Sequence, residues 1–355
     1  MKIVFVGPLW YGATCLQRMQ ALRQLGHQIL PVDTESEWVR HKSQGFIYRA
    51  KRKFLGPSDL VNANQNLIQL LVKHNVDVLF LNKALTIKPK TLRIIRQRSP
   101  KTIIVGYSPD DMAGRHNQSR QFLHGLPLYD IFFTTKSYGV KELRELGCPQ
   151  VAFIVNGYDE QTHRPVPVTS QDRLRFGGAV GFIGDYERER AEAIIYLAEN
   201  SIPVRVWGPN WNRKCKLSHP NVKIEGRPLW GDEYVKAICC FDINLNFLRR
   251  INRDLQTSRS VEIPACGAFM LAERTDEHLK LFEEDKEAVF FSSNEEMLEK
   301  TRYYLAHPQQ RKAIAECGRQ RCLKSGYSNH DRLREMLRIA QEVLHQRRKT
   351  PDFAI

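Results

Sequence analysis

Apolar residues in this chain follow two patterns. Short unbroken runs alternate with stretches in which apolar positions recur every three or four residues, the spacing of one helix face. The first run is Ile3-Val4-Phe5-Val6, and residues 2–6 read as a buried strand ending in a glycine turn at Gly7. Over 13–26, Leu16, Met19, Leu22 and Leu25 share a helix face that Gly26 stops. A second strand follows at 29–32. Over 58–74, Leu60, Leu67, Ile68 and Leu71 mark a helix with Ser58 as its expected N-cap. Runs at 76–81, 102–107, 129–134 and 151–154 are strands, and 138–146 is a helix ending at Gly147. Strands that are apolar throughout belong to sheets covered on both faces. The first half is therefore predicted as a parallel, doubly wound α/β sheet.

Turn chemistry gathers at 156–178, in Asn156-Gly157, Pro165, Pro167 and Gly177-Gly178. The alternation then restarts. Strands are expected at 179–184, 204–207, 222–224, 241–245, 268–272 and 288–291, with helices at 186–199, 294–306, 308–323 and 328–347. No short repeat is present. The pattern gives two α/β halves facing a cleft: a first domain at 1–165, a second at 166–327, and a C-terminal helix and tail at 328–355 that can cross back to the first. Ligands of such sheets bind outside the carboxyl ends of the strands.

The length of 355 residues fits two domains, at about 150 residues each. No apolar run reaches the roughly 18 residues of a membrane helix, and the N-terminus is broken too soon for a signal peptide. A cytoplasmic protein is expected. Eight cysteines include no C-x-x-C, so they read as buried thiols and no metal site is expected. The net charge of +15 is uneven: 23 basic against 12 acidic residues in 1–165, but 31 against 27 in 166–355. The densest cluster is Arg49-Ala50-Lys51-Arg52-Lys53. Either the first half meets an anionic partner or this charge only solvates the surface.

Two segments carry candidate chemistry. Gly7-Pro8-Leu9-Trp10-Tyr11-Gly12-Ala13-Thr14 joins a strand to a helix, where backbone N–H groups can meet an anion; Gly12 is the candidate contact. It is not G-x-G-x-x-G, which speaks against a nicotinamide enzyme. The second segment runs from Asp254 to Gly267. Thr257 or Ser258 can cap a short helix whose free N–H groups attract phosphate, and Arg259 adds a fixed charge. Glu262 lies one turn further, where a carboxylate can accept from vicinal hydroxyls such as a ribose pair; a capped structural helix with a surface Glu gives the same spacing. Asp110 and Asp111 end a strand, a place for an acceptor contact or base, or for a plain turn after Pro109. His116 and His163 stand alone and read as satisfied or exposed histidines.

The segment Thr257-Ser258-Arg259-Ser260-Val261-Glu262-Ile263-Pro264-Ala265-Cys266-Gly267, with Leu281-Phe282, Leu305-Ala306-His307-Pro308 and Arg311 to Gly318, resembles the C-terminal module of CgeB-related glycosyltransferases within the GT-B group. Upstream, Phe182-Ile183-Gly184…Arg190 and Val206-Trp207-Gly208-Pro209 resemble the same family, which the chain matches chiefly after position 180. The resemblance implies a GT-B fold of two Rossmann-like domains. It implies a nucleotide-diphospho-sugar as co-substrate, no further cofactor and no metal. Glu262 would bind the ribose, Thr257, Ser258 and Arg259 the diphosphate, and Arg190 would be the opposing cation, with Arg188 as its neighbouring alternative. Gly184 and Gly208 would let the donor approach the backbone. Asp254 would contact the sugar, although the family's E-x7-E pattern is D-x7-E here.

The implied reaction is hexosyl transfer, retaining and metal-independent, to a glycan, lipid-linked or other anionic acceptor. Asp110, Arg190 and Arg259 would be catalytic, and Gly12 and Asp111 would lie on the acceptor side. Peripheral contact with the inner face of a membrane fits the basic first half. Two rivals share the donor site: a nucleotide-sugar epimerase and a non-enzymatic nucleotide-sugar binding protein. A nucleic-acid binder is suggested by charge alone and lacks any recognition motif.

Overall fold

The computed structural model describes residues 1–35, 57–215 and 218–349. The basic cluster from Arg49 to Lys53 lies outside the described residues. The chain divides into two units, Met1–Val155 with Asn329–Ile355, and Asn156–Ser328.

In the first unit β1 (Lys2–Gly7), β2 (Gln28–Asp33), β3 (Val78–Asn82), β4 (Ile103–Ser108), β5 (Ile131–Thr134) and β6 (Val151–Phe153) form a parallel sheet in the order β2-β1-β3-β4-β5-β6. Its helices are α1 (Thr14–Gln24), α2 (Ala63–Lys73), α3 (Pro89–Arg98), α4 (Arg120–Gly125), α5 (Gly139–Glu145) and, from the C-terminus, α14 (Asn329–Lys349). Ile3, Phe5, Val78, Phe80, Val105 and Phe133 pack with Met19 and Leu22 of α1 and Leu333 and Leu337 of α14. The alternate residues Val4, Val6, Leu79, Leu81 and Ile104 pack with Leu67 of α2 and Leu92 of α3. Both faces are thus apolar, which is why these strands read as unbroken runs.

The second unit repeats the design. Its strands β7 (Gly178–Ile183), β8 (Val204–Trp207), β9 (Val222–Ile224), β10 (Phe241–Asn246), β11 (Met270–Glu273) and β12 (Val289–Phe291) run parallel in the order β12-β11-β10-β7-β8-β9. Between them come α6 (Ser170–Phe176), α7 (Arg188–Glu199), α8 (Trp211–Lys214), α9 (Gly231–Cys240), α10 (Arg259–Ala265), α11 (Asp276–Leu281), α12 (Asn294–Ala306) and α13 (Pro308–Lys324). The strand order reverses at β7, just as it does at β1 in the first sheet. Loops leaving the carboxyl ends of β7 and β10 therefore diverge, and a crevice opens between them.

Three details differ from the sequence reading. Ser58 does not cap α2; Asp59 does, accepting the N–H groups of Ala63 and Asn64 at 2.8 and 2.9 Å, because Asn62 turns left-handed before the helix starts. Helices α3, α4, α6, α8, α9 and α11 were not anticipated. Most are too short for a 3.6-residue period to show, and in α3 the buried apolar stripe is only Leu92 and Ile95. All eight cysteines are free thiols, but Cys317 is exposed. Among the described residues no helix is long and apolar enough to cross a membrane.

Candidate active site

The turn after β7 sets one wall of the crevice. Gly184 donates its N–H to Trp207 O at 2.9 Å, and its own carbonyl accepts from Trp211 Nε1. Gly208 has φ +149°, and a Cβ there would lie 1.8 Å from Gly184 O. The backbone contact requires glycine at 208, and at 184 a Cβ would lie 2.6 Å from the Phe182 ring.

Arg190 enters from the first turn of α7 and is only 4% exposed. Its Nη1 donates to Asp185 O at 3.0 Å, and its Nε lies 3.9 Å from Glu187 Oε2. Nε and Nη2 are buried and have no hydrogen-bond acceptor among the described residues; Nε of Arg259 is in the same condition. The guanidinium carbons of Arg190 and Arg259 stand 5.6 and 5.7 Å from the centroid of one ring, Phe182. Burial, and then the charge of Arg259, push the Arg190 guanidinium down to about 10. Two like charges, Arg190 buried and Arg259 half-buried, with open N–H groups beside one ring form an arrangement that an oxyanion would complete. Next to it lies a cavity of about 420 Å³ lined by Glu187, Arg190, Leu248, Asp254, Glu273 and Thr275. Glu187 also holds Arg249 at 3.0 Å, and Glu273 holds Arg250 at 2.7 Å.

Neither Thr257 nor Ser258 caps α10. Ser258 already has helical angles and makes no side-chain cap. Thr257 donates its hydroxyl to Asn246 Oδ1 at 3.2 Å and its N–H to Ser260 Oγ at 3.0 Å. Ser260 is the anchor, since it also accepts from Asn246 Nδ2 at 3.1 Å and faces His278 Nε2 at 2.7 Å. Burial holds the His278 imidazole down at about 4. The ring is therefore neutral, with Nδ1–H donating to Glu273 O at 2.6 Å and Nε2 accepting from Ser260. This network fixes the start of α10, and with it Arg259. Gly267, at φ +68°, ends the segment.

Glu262 is buried, 6% exposed, rather than a surface residue. Its Oε2 accepts from Tyr234 Oη at 2.6 Å, and its Oε1 lies 3.9 Å from His163 Nε2. No sequence signal joins positions 163, 234 and 262, and Tyr234 was not anticipated at all.

In the first unit, by itself, Gly12 takes φ +88° in the turn between β1 and α1. Asp110 is ion-paired with Lys83 and donates its N–H to Ser108 Oγ at 3.2 Å. Asp111 is buried, and its Oδ1 accepts Gly114 N–H at 3.0 Å, so this carboxylate serves its own loop. Arg18, missed in the sequence, is buried at the ends of β3 and β4: it donates from Nε to Asn82 Oδ1 at 2.7 Å and lies 4.8 Å over the Tyr107 ring. Among the described residues, no group of three or more His, Cys, Asp or Glu side chains could hold a metal ion.

Comparison with known proteins bears on the second unit and on the fold. Residues 188–338 match the family model described as glycosyl transferase-like. Among curated proteins no sequence matches significantly. Among solved structures, Anabaena HepE in complex with UDP-glucose aligns over 99% of this chain and 100% of its own, with a TM-score of 0.61 and 12% identity. A glycosyltransferase from Rickettsia africae ESF-5 aligns over 97% and 98%, with a TM-score of 0.65 and 11% identity. A protein of Listeria monocytogenes assigned as a UDP-N-acetylglucosamine 2-epimerase aligns over 100% and 99%, with a TM-score of 0.57 and 11% identity. The fold is GT-B, and with the family match over 188–338 it defines a glycosyltransferase-type enzyme.

Proposed function

We propose that the protein transfers a sugar from a nucleotide-diphospho-sugar to an anionic acceptor, as a CgeB-like member of the GT-B group. The observation that carries this reading is the pair Arg190, buried, and Arg259, half-buried, with three buried guanidinium nitrogens that no described residue satisfies. A diphosphate supplies the oxygens these groups lack. As the bond from anomeric carbon to diphosphate oxygen breaks, negative charge grows on the leaving group, and the two fixed cations stabilise it without a metal. Glu262 then takes the ribose, and the cavity beside Arg190, bordered by Asp254, takes the hexose. The second unit is the donor side and the first the acceptor side, where Asp110 contacts the acceptor hydroxyl, Gly12 lies in the loop it approaches, and Arg18 and Lys83 favour an anionic group. By the family resemblance the transfer is retaining. The neighbour crystallised with UDP-glucose supports a UDP-linked donor as the first choice.

The test is a thermal-shift panel of UDP-, GDP-, ADP- and dTDP-sugars, followed by product analysis with and without glycan, lipid-linked and phosphorylated acceptors, in the presence and absence of EDTA. A ligand at about 100 Kd adds roughly 2.7 kcal/mol, a readable shift. The Listeria neighbour favours a second reading, epimerisation on the same fold; sugar turnover with no acceptor present would replace transfer by it. Stabilisation without any product would leave a binding protein.

A further inference from the structure

The carboxylate at Glu262 does not stand alone. Two side chains from distant parts of the second unit converge on it, one by a hydrogen bond and one by a looser contact. Tyr234, on α9, donates its hydroxyl to Glu262 Oε2 at 2.6 Å. Burial, and then the charge of Glu262, push this phenol well above its ordinary value, so it stays a donor. His163 comes from the turn after Asn156. Its Nδ1 accepts the N–H of Asp159 at 2.9 Å, which places the ring proton on Nε2, 3.9 Å from Glu262 Oε1. That turn is itself braced: Asp159 Oδ2 accepts from the Thr162 hydroxyl at 2.6 Å, and its carbonyl accepts His163 N–H at 2.7 Å. The His163 and Tyr234 rings meet edge to face, with centroids 5.9 Å apart. The side chains of His163 and Glu262 are only 3% and 8% exposed.

We propose that Tyr234 and His163 are positioning residues that lock the Glu262 carboxylate in one orientation and thereby set a preference for nucleotides that carry both ribose hydroxyls. The inference rests on the donor-site reading above. An ionised carboxylate offers about four acceptor positions. Tyr234 occupies one, and its bond, with the His163 ring against it, removes rotation about the last torsion of Glu262. The remaining positions are then held for a vicinal diol, with less ordering left to be done on binding. In the Phe variant the carboxylate keeps its charge but loses its orientation.

Calorimetry with UDP and 2′,3′-dideoxy-UDP, with the GDP and ADP pairs in parallel, tests this on wild type, Tyr234→Phe, His163→Gln, Glu262→Gln and the Tyr234→Phe/Glu262→Gln double variant. Wild type should prefer the ribose form about tenfold or more. Tyr234→Phe should weaken UDP about five- to tenfold and the dideoxy form less than twofold. The double variant should bind no worse than Glu262→Gln. Equal loss for both probes would make Tyr234 merely structural, and unchanged UDP affinity would remove it from the site; either result overturns the inference. His163→Gln, with the same ratio of affinities as its readout, keeps the test decisive where Tyr234→Phe fails to fold. Wild-type binding without ribose discrimination overturns the inference and the ribose role of Glu262, and leaves the diphosphate reading at Arg190 and Arg259 standing. Absence of binding to every nucleoside diphosphate overturns the donor-site reading and the inference together.

Discussion

Replacing Arg190 by Met should stabilise the ligand-free protein while abolishing donor binding. The side chain is 4% exposed, two of its three nitrogens have no acceptor among the described residues, and Arg259 repels it. The guanidinium is pushed down to about 10, which against a free guanidinium is a penalty of about 3 kcal/mol on the charged folded state. Both folded and unfolded chains stay protonated between pH 6 and 9, so the penalty is constant there and is relieved only as pH rises above about 10. Met keeps most of the volume and removes the charge. The loss of the 3.0 Å bond to Asp185 O and of the loose contact to Glu187 returns about 1–1.5 kcal/mol. The net gain is about 1–2 kcal/mol. For a unit of this size that raises Tm by roughly 3–6 °C. Donor binding should move the opposite way: two charged hydrogen bonds lost to a diphosphate amount to about 3 kcal/mol or more, over 100-fold in Kd. Differential scanning calorimetry in a buffer free of multivalent anions reads the first effect, and titration with UDP reads the second. A variant that melts below wild type, or that binds UDP within twofold of it, would refute the claim that Arg190 is held strained for an anion.

Three further outcomes follow from the same geometry. Glu262→Gln should weaken nucleotide binding by about 1.5–3 kcal/mol without altering the far-UV spectrum, and unchanged affinity by calorimetry would reject the ribose assignment. Gly208→Ala places a Cβ 1.8 Å from Gly184 O at φ +149° and should destabilise by about 3 kcal/mol or more, read as a lower Tm and lower soluble yield. His278 stays neutral in the folded chain down to about pH 4, whereas the unfolded chain protonates it near pH 6.5. Its contribution is therefore complete above pH 6.5 and falls by up to about 3 kcal/mol as pH drops to 4. Denaturant titrations of His278→Gln should show a shallower acid slope than wild type, and parallel slopes would mean that this imidazole is not held neutral.

The sequence alone determined the architecture and singled out candidate residues for the site. Unbroken apolar runs such as Ile3-Val4-Phe5-Val6 fix parallel strands, because a strand buried on both faces has no polar position to offer. Glu262, Arg259 and Arg190 could be singled out because local spacing on short segments and the family resemblance preserve them. What the sequence could not supply is which side chains meet. Tyr234 and His163 reach Glu262 from α9 and from a turn about a hundred residues upstream, and no periodicity encodes that meeting. The capping role expected of Thr257 or Ser258 is filled by no side chain; instead Asn246 and His278, brought from β10 and α11, hold the Ser260 hydroxyl at the helix start. Asp111 turned into its own loop through Gly114, a contact that a strand-end position does not reveal. The buried state of Arg190 was decided by tertiary packing as well. An Arg-x-Arg pair at a helix start is ordinary surface chemistry until the fold brings Phe182 and Arg259 to Arg190, a meeting that no local spacing encodes.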